Sequence, residues 1–145
     1  MGEFLEVEVL GKRYLVKTGL RYTETHEWAK SENGLVREGV TDYAQKELKD
    51  VVGVELPEVG AEVKMGESIG VLESVKAVAD VYAAVSGVVA EVNERLLEEP
   101  ELVNRDPYGE GWFVAIKPSN PEEREKLLTP EQYAEHIKRE KAGGH

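Results

Sequence analysis

Between Ile69 and Val85 every second residue is apolar with one exception: Ile69, Val71, Glu73, Val75, Ala77, Ala79, Val81, Ala83, Val85. A period of two reads as β-structure rather than helix. Strands usually run about 5–6 residues, so this stretch is too long for one and has to fold back on itself. Its only cluster of polar side chains, Glu73-Ser74-Val75-Lys76, is the natural break. Two strands would meet there in a hairpin, with Lys76 at or near the tip. Local turn chemistry does not demand this. There is no Asn-Gly or Asp-Gly, and β-branched Val75 suits a primed turn badly.

The rest of the chain reads as short strands between turns. Residues 1–20 form a unit of their own: Phe4–Leu10 and Arg13–Lys17 have strand character, and Gly11-Lys12 between them is a two-residue hairpin signal. Thr23–Lys30 is extended, and Ser31-Glu32-Asn33-Gly34 is a turn. Leu35–Val40 is a strand. Thr41 caps a short helix over Asp42–Lys49. Val51–Leu56, a short piece around Val63 and Met65, Val88–Val92 and Trp112–Lys117 complete the strands. Asn93 caps a short helix through Leu97, and Pro100 opens another turn of helix. A helix starts at Pro121. Thr129-Pro130-Glu131-Gln132 carries a Thr cap, Pro at the first position and Gln at the third, so a helix follows with Tyr133, Ile137 and Ala134 on its apolar face. Ala142-Gly143-Gly144-His145 should fray. The expected division is residues 1–20 as an N-terminal extension, 21–120 as a β domain and 121–145 as a helical tail. The pattern is mainly β: two small packed antiparallel sheets with short helices and a C-terminal helix.

Composition removes several functions. With no cysteine there is no disulfide, thiol nucleophile or zinc ribbon. His26, His136 and His145 are scattered, with no close pair, so no metal site is expected. The net charge of −11 opposes a nucleic-acid backbone and favours partners with basic faces. No apolar run reaches the ~18–20 residues of a membrane span, and no secretory signal is visible. The expectation is a soluble cytoplasmic protein. Abundant Glu, Lys and Arg also suits a thermophile.

Gly-Val-Leu-Glu-Ser-Val-Lys-Ala (Gly70–Ala77) resembles the lipoyl-attachment segment of the glycine cleavage system H protein family. Other signatures follow in family order: Tyr22-Thr23 with His26-Glu27-Trp28, Thr41-Asp42-Tyr43-Ala44-Gln45, Val54–Gly60, Asn104–Gly109 and Gly111-Trp112. The resemblance runs from about Tyr22 to Tyr133. It implies the barrel-sandwich hybrid of lipoyl and biotinyl carriers, with lipoate on Lys76 in amide linkage. Glu73 and Ala77 would help a lipoate ligase or lipoyltransferase recognise the hairpin. Val75 and Ala77 beside the lysine, where biotin carriers have methionine, argue against biotin. Val75, where 2-oxoacid dehydrogenase lipoyl domains have Asp, points to the H protein branch.

The resemblance further implies a non-catalytic carrier that shuttles the aminomethyl group of glycine. The P protein would load it, the T protein would unload it and the L protein would reoxidise the dithiol. Thr25, Glu27 and Asp80 match positions that hold the cationic amine of the loaded arm. A histidine sometimes found in the family corresponds to Glu47, so its role does not carry over. Residues 1–20 depart from the family, which begins near Tyr22. They keep open a lipoyl carrier for another pathway, such as sulfur oxidation by a heterodisulfide-reductase-like complex. A lysine-dependent enzyme is a third reading, but a Schiff-base amine needs burial or a nearby cation, and Glu73 and Asp80 offer the reverse. Trp28, Trp112 and Tyr108 read as packing residues, and His26 as a structural hydrogen-bonder.

Overall fold

The computed structural model describes residues 2–143. Of the segment expected to fray, Gly144 and His145 lie outside the described residues. The chain opens with β1 (Phe4–Val9) and β2 (Lys12–Lys17), an antiparallel pair. Its two-residue turn is Leu10-Gly11, one position earlier than expected. Both residues have positive φ, 54° and 80°, as a primed turn requires. β3 (Arg21–Tyr22), β4 (Glu27–Glu32) and β5 (Leu35–Val40) follow. The β4–β5 turn is Asn33-Gly34, with φ of 54° and 79°. Helix α1 (Asp42–Leu48) starts where Thr41 Oγ1 accepts the Ala44 N–H.

Next come β6 (Val51–Glu55), β7 (Glu62–Val63), β8 (Ser68–Ser74), β9 (Val78–Tyr82) and β10 (Gly87–Val92). Two single-turn helices, α2 (Arg95–Glu98) and α3 (Leu102–Arg105), lead to β11 (Val114–Pro118). A 3₁₀ turn over Pro121–Lys126 precedes α4 (Pro130–Ala142). The Thr129–Gln132 capping box is complete in both directions. Asn93, by contrast, does not cap α2. Its side-chain amide instead donates to the carbonyls of Glu110 and Trp112, pinning the approach to β11.

Every strand pairing is antiparallel. A six-stranded sheet runs β3-β4-β5-β11-β10-β7, and a three-stranded sheet runs β6-β8-β9. The main core lies between them, with Val36, Val85, Val89, Val114 and Ile116 meeting Val51, Leu72 and Val81. A second core joins both ends of the chain: Val7, Tyr14 and Val16 of the first hairpin pack with Tyr22, Trp28 and Tyr43 and with Tyr133 and Ile137 of α4. Tyr22 and Tyr133 stack with ring centroids 4.5 Å apart and planes 2° from parallel.

The long alternating stretch does fold into a hairpin, β8–β9. The alternation is not kept throughout. Ser68 pairs with Tyr82 but Gly70 with Val81, so Ile69 is an extra residue in β8. That bulge reverses which face points inward. Ile69 is buried, yet beyond it Leu72 rather than Val71 fills the core. Val75 and Val78 stand in solvent.

Candidate functional site

Lys76 sits on the exposed loop Val75-Lys76-Ala77 that joins β8 to β9. Neither Val75 nor Lys76 takes a positive φ, so the turn is not a primed one. Ser74 makes it instead. Its Oγ accepts the N–H groups of Lys76 (3.2 Å) and Ala77 (2.9 Å), and its backbone N–H donates to the Ala77 carbonyl (2.8 Å). A serine that bonds its own backbone two or three residues on supplies locally what Asn-Gly supplies elsewhere. The Val75 N–H donates to the Asp50 carbonyl, tying the loop to the segment before β6. Glu73 and Ala77 are exposed on either side.

Beside the loop lies a cavity of about 580 Å³, and Lys76 and Ala77 line its rim. Thr25, Glu27 and Asp80, far apart in sequence, all line the same cavity. Their surroundings differ. Glu27 is buried, not a surface carboxylate. Its Oε1 accepts the hydroxyls of Thr23 and Thr25, each at 2.6 Å, and its Oε2 accepts the Tyr82 N–H at 3.0 Å. Burial pushes the Glu27 carboxyl above its ordinary value, and these three donors oppose the rise. Asp80 is exposed and accepts the Ser68 hydroxyl at 2.9 Å. Apolar surface from Leu48, Leu72 and Ala79 alternates with these oxygens. Acidic oxygens over an apolar floor suit a chain that is aliphatic along its length and cationic at its end.

Two residues of the cavity, and one carboxyl close to Glu27, were not visible in the sequence. Glu47 lines it, held by the Tyr14 hydroxyl and the Lys141 ammonium, each 2.9 Å away. Burial works to raise the Glu47 carboxyl, but those two donors outweigh it and hold it below its ordinary value. Leu10 lines it from the first hairpin. Glu38 does not line the cavity but feels the Glu27 charge, and it is fully buried: Oε1 accepts the Ala84 N–H at 2.7 Å, and Oε2 has no partner. Burial first, and the neighbouring Glu27 charge second, push Glu38 well above the carboxylate range. None of the three carries a local motif, since each depends on what a distant element brings beside it.

The structure also gathers two of the scattered histidines. His26 Nε2 lies 3.0 Å from Glu140 Oε2, and His136 Nε2 lies 3.3 Å from Glu140 Oε1. The three donors fall within 4.8 Å of one another. Each already has a protein partner: His26 Nδ1 meets the Tyr133 hydroxyl at 2.8 Å, and His136 Nε2 meets the Glu24 carbonyl at 2.9 Å. Burial lowers the His26 imidazole below its ordinary value, against the pull of Glu140. The cluster clamps α4 onto the turn that carries Thr25 and Glu27, which is the structural role expected of His26.

A three-stranded sheet facing a larger one, with a lysine on the projecting hairpin, is the barrel-sandwich hybrid of the lipoyl-carrier class. Within that class the chain belongs to the glycine cleavage H-protein family, whose model matches residues 20–140. A probable glycine cleavage system H protein of Aeropyrum pernix is 57% identical over 140 residues, covering 97% of this chain and 98% of its own. One from Pyrococcus abyssi is 59% identical over 127 residues, covering 86% and 94%. The crystal structure of a glycine cleavage system H protein from Mycobacterium marinum superposes with a TM-score of 0.78 at 38% identity, over 84% of this chain and 98% of that one. A 140-residue match in a chain of 145 has to reach into the β1–β2 hairpin, so the Aeropyrum relative shares that extension.

Proposed function

We propose that this chain is the lipoyl carrier of a glycine cleavage system, with lipoate in amide linkage to Lys76. The observation that carries the proposal is the placement of Lys76: an exposed amine on a loop held by Ser74, at the rim of a cavity that also holds Thr25, Glu27 and Asp80. An exposed lysine is open to a modifying ligase, and Glu73 and Ala77 flank it where such an enzyme would grip. When bound, lipoate supplies a dithiolane that accepts a group and is later restored by reoxidation.

The protein's own part is mechanical and electrostatic. β8 and β9 hold the attachment point fixed while the tether moves. Thr25 and Asp80 present oxygens at the mouth, and Glu27 sits behind them with its carboxylate already oriented by three donors. A cationic aminomethyl amine entering here would meet preplaced acidic oxygens in a partly enclosed site, where attraction exceeds that in bulk water. The apolar walls exclude water from the carbon next to that amine. The partners on this reading are the P, T and L proteins and a lipoate ligase or lipoyltransferase. The chain itself performs no bond-making step, and the cytoplasm is the compartment in which it would meet those partners. The Aeropyrum relative that shares the N-terminal extension is named a probable glycine cleavage system H protein, which supports this pathway over another.

The test is intact mass after incubation with a lipoate ligase. One added lipoyl group, lost in Lys76→Arg, is expected. Transfer of an aminomethyl group from glycine by a P protein then separates glycine cleavage from another lipoyl-dependent pathway. Lipoylation without such transfer would move the carrier to that other pathway.

A further inference from the structure

The β1–β2 turn places an apolar residue where the backbone disfavours one. Leu10 has φ of 54° and Gly11 φ of 80°. The β4–β5 turn has the same geometry, 54° and 79°, with Asn33-Gly34. Asn-Gly is the pair such a turn selects, because asparagine tolerates the left-handed region and leucine does so poorly. Leu10 is also 71% exposed, the most exposed large hydrophobic side chain among the described residues. A strained and exposed leucine at a turn position serves neither folding nor solubility. It does line the cavity that Lys76 and Ala77 also line.

The hairpin that carries Leu10 is firmly mounted. Asp42 accepts the Leu15 N–H at 2.8 Å, Lys46 donates to the Arg13 carbonyl at 2.8 Å, and the Tyr108 hydroxyl donates to the Leu15 carbonyl at 2.7 Å. Tyr14 reaches over to Glu47, which also lines the cavity. Val7, Tyr14 and Val16 are buried against α4 and its neighbours. The turn is therefore held in place at the cavity.

We propose that Leu10 is a positioning residue for the lipoyl arm: it closes the apolar wall of the cavity against the aliphatic part of the acyl chain on Lys76 and shields the loaded end from water. The inference rests on the carrier reading above, and it assigns a binding role to a segment that the family model, which begins at residue 20, leaves out. An exposed leucine that the docked arm partly covers contributes on the scale of one or two methylenes of apolar contact, which corresponds to about a fivefold change in the fraction of time the arm is undocked.

The experiment uses the full-length lipoylated protein and two variants, Leu10→Asn and Leu10→Met. The reduced arm is loaded with formaldehyde and ammonium chloride, which condense with one thiol and release one water. After the reagents are removed, hydrolysis returns thiol, formaldehyde and ammonium, and intact mass follows the loss. Leu10→Asn should melt no lower than the parent, since it restores the residue found at Asn33, yet lose its load about fivefold faster. Leu10→Met should behave like the parent. Equal loss rates in Leu10→Asn and the parent would overturn the role of Leu10 and leave the carrier reading intact. A parent that loses its load as fast as free loaded dihydrolipoamide would overturn the docking of the arm in this cavity and, with it, the role of Leu10.

Discussion

Glu38 shows how far a single side chain can depart from what its letter suggests. In the sequence it is one polar residue in a strand of alternating character. In the structure its carboxyl is fully buried, with one oxygen unpartnered and the Glu27 carboxylate nearby. Its folded-state value lies above the 4.5 of an ordinary glutamate, so the native protein keeps a proton that the unfolded chain has released. The contribution of such a group is fully present below about pH 4.5 and is lost as pH rises through the folded value. Glu38→Gln removes that loss. Its melting temperature should therefore gain on the parent steadily between pH 4.5 and pH 7, and a gap that stays constant across the range would contradict the assignment. Glu47 behaves in the opposite sense. Its value is depressed, so its contribution is present above the unfolded value and lost as pH falls through the folded one. Glu27 tests the other side of burial. Glu27→Gln turns one of its acceptor oxygens into a donor facing the Tyr82 N–H or the threonine hydroxyls, at a cost of about 1–3 kcal/mol in denaturant unfolding.

At the scale of elements, what could be read in advance was local. The Thr129–Gln132 cap is written in four consecutive residues, and Thr129→Ala should cost about 1 kcal/mol of unfolding free energy. Asn33-Gly34 and the Thr41 cap were legible for the same reason. The lysine loop was not legible from turn chemistry, because Ser74 closes it with a side chain rather than with positive φ. The β1–β2 turn was misplaced by one residue because glycine can occupy either central position of a two-residue turn. The bulge at Ile69 left no mark in the alternation, since Val71 and Leu72 are both apolar and either parity looks buried. Gly70 records it instead. A Cβ there would stand 2.5 Å from the Glu55 carbonyl oxygen and 2.5 Å from the Phe113 ring. Gly70→Ala should lower stability by about 1–3 kcal/mol, read from the denaturation midpoint. Of the cavity, the resemblance pointed to Lys76, Thr25, Glu27 and Asp80. Leu10 and Glu47 reach it only through packing of elements that no short motif connects.

Across the whole molecule, two cores divide the labour. The lysine hairpin belongs to the core between the sheets, and the first hairpin and α4 share the other. A chain beginning at Leu20 would lose Val7, Tyr14 and Val16 from the second core while the first stays intact. It should melt several degrees lower and lose amide protection throughout α4, yet still take up a lipoyl group at Lys76. The cores share β4 and α1, and one hydrogen bond ties the lysine hairpin to the carboxylate in the cavity. Tyr82, the last residue of β9, donates its N–H to Glu27, whose other oxygen is held by threonines next to the α4 clamp. The mast and the berth for its cargo are thus fastened at one peptide. A passenger that draws on the Glu27 charge is felt along the spar that delivers it, so deuterium uptake at the Tyr82 amide becomes a gauge of occupancy.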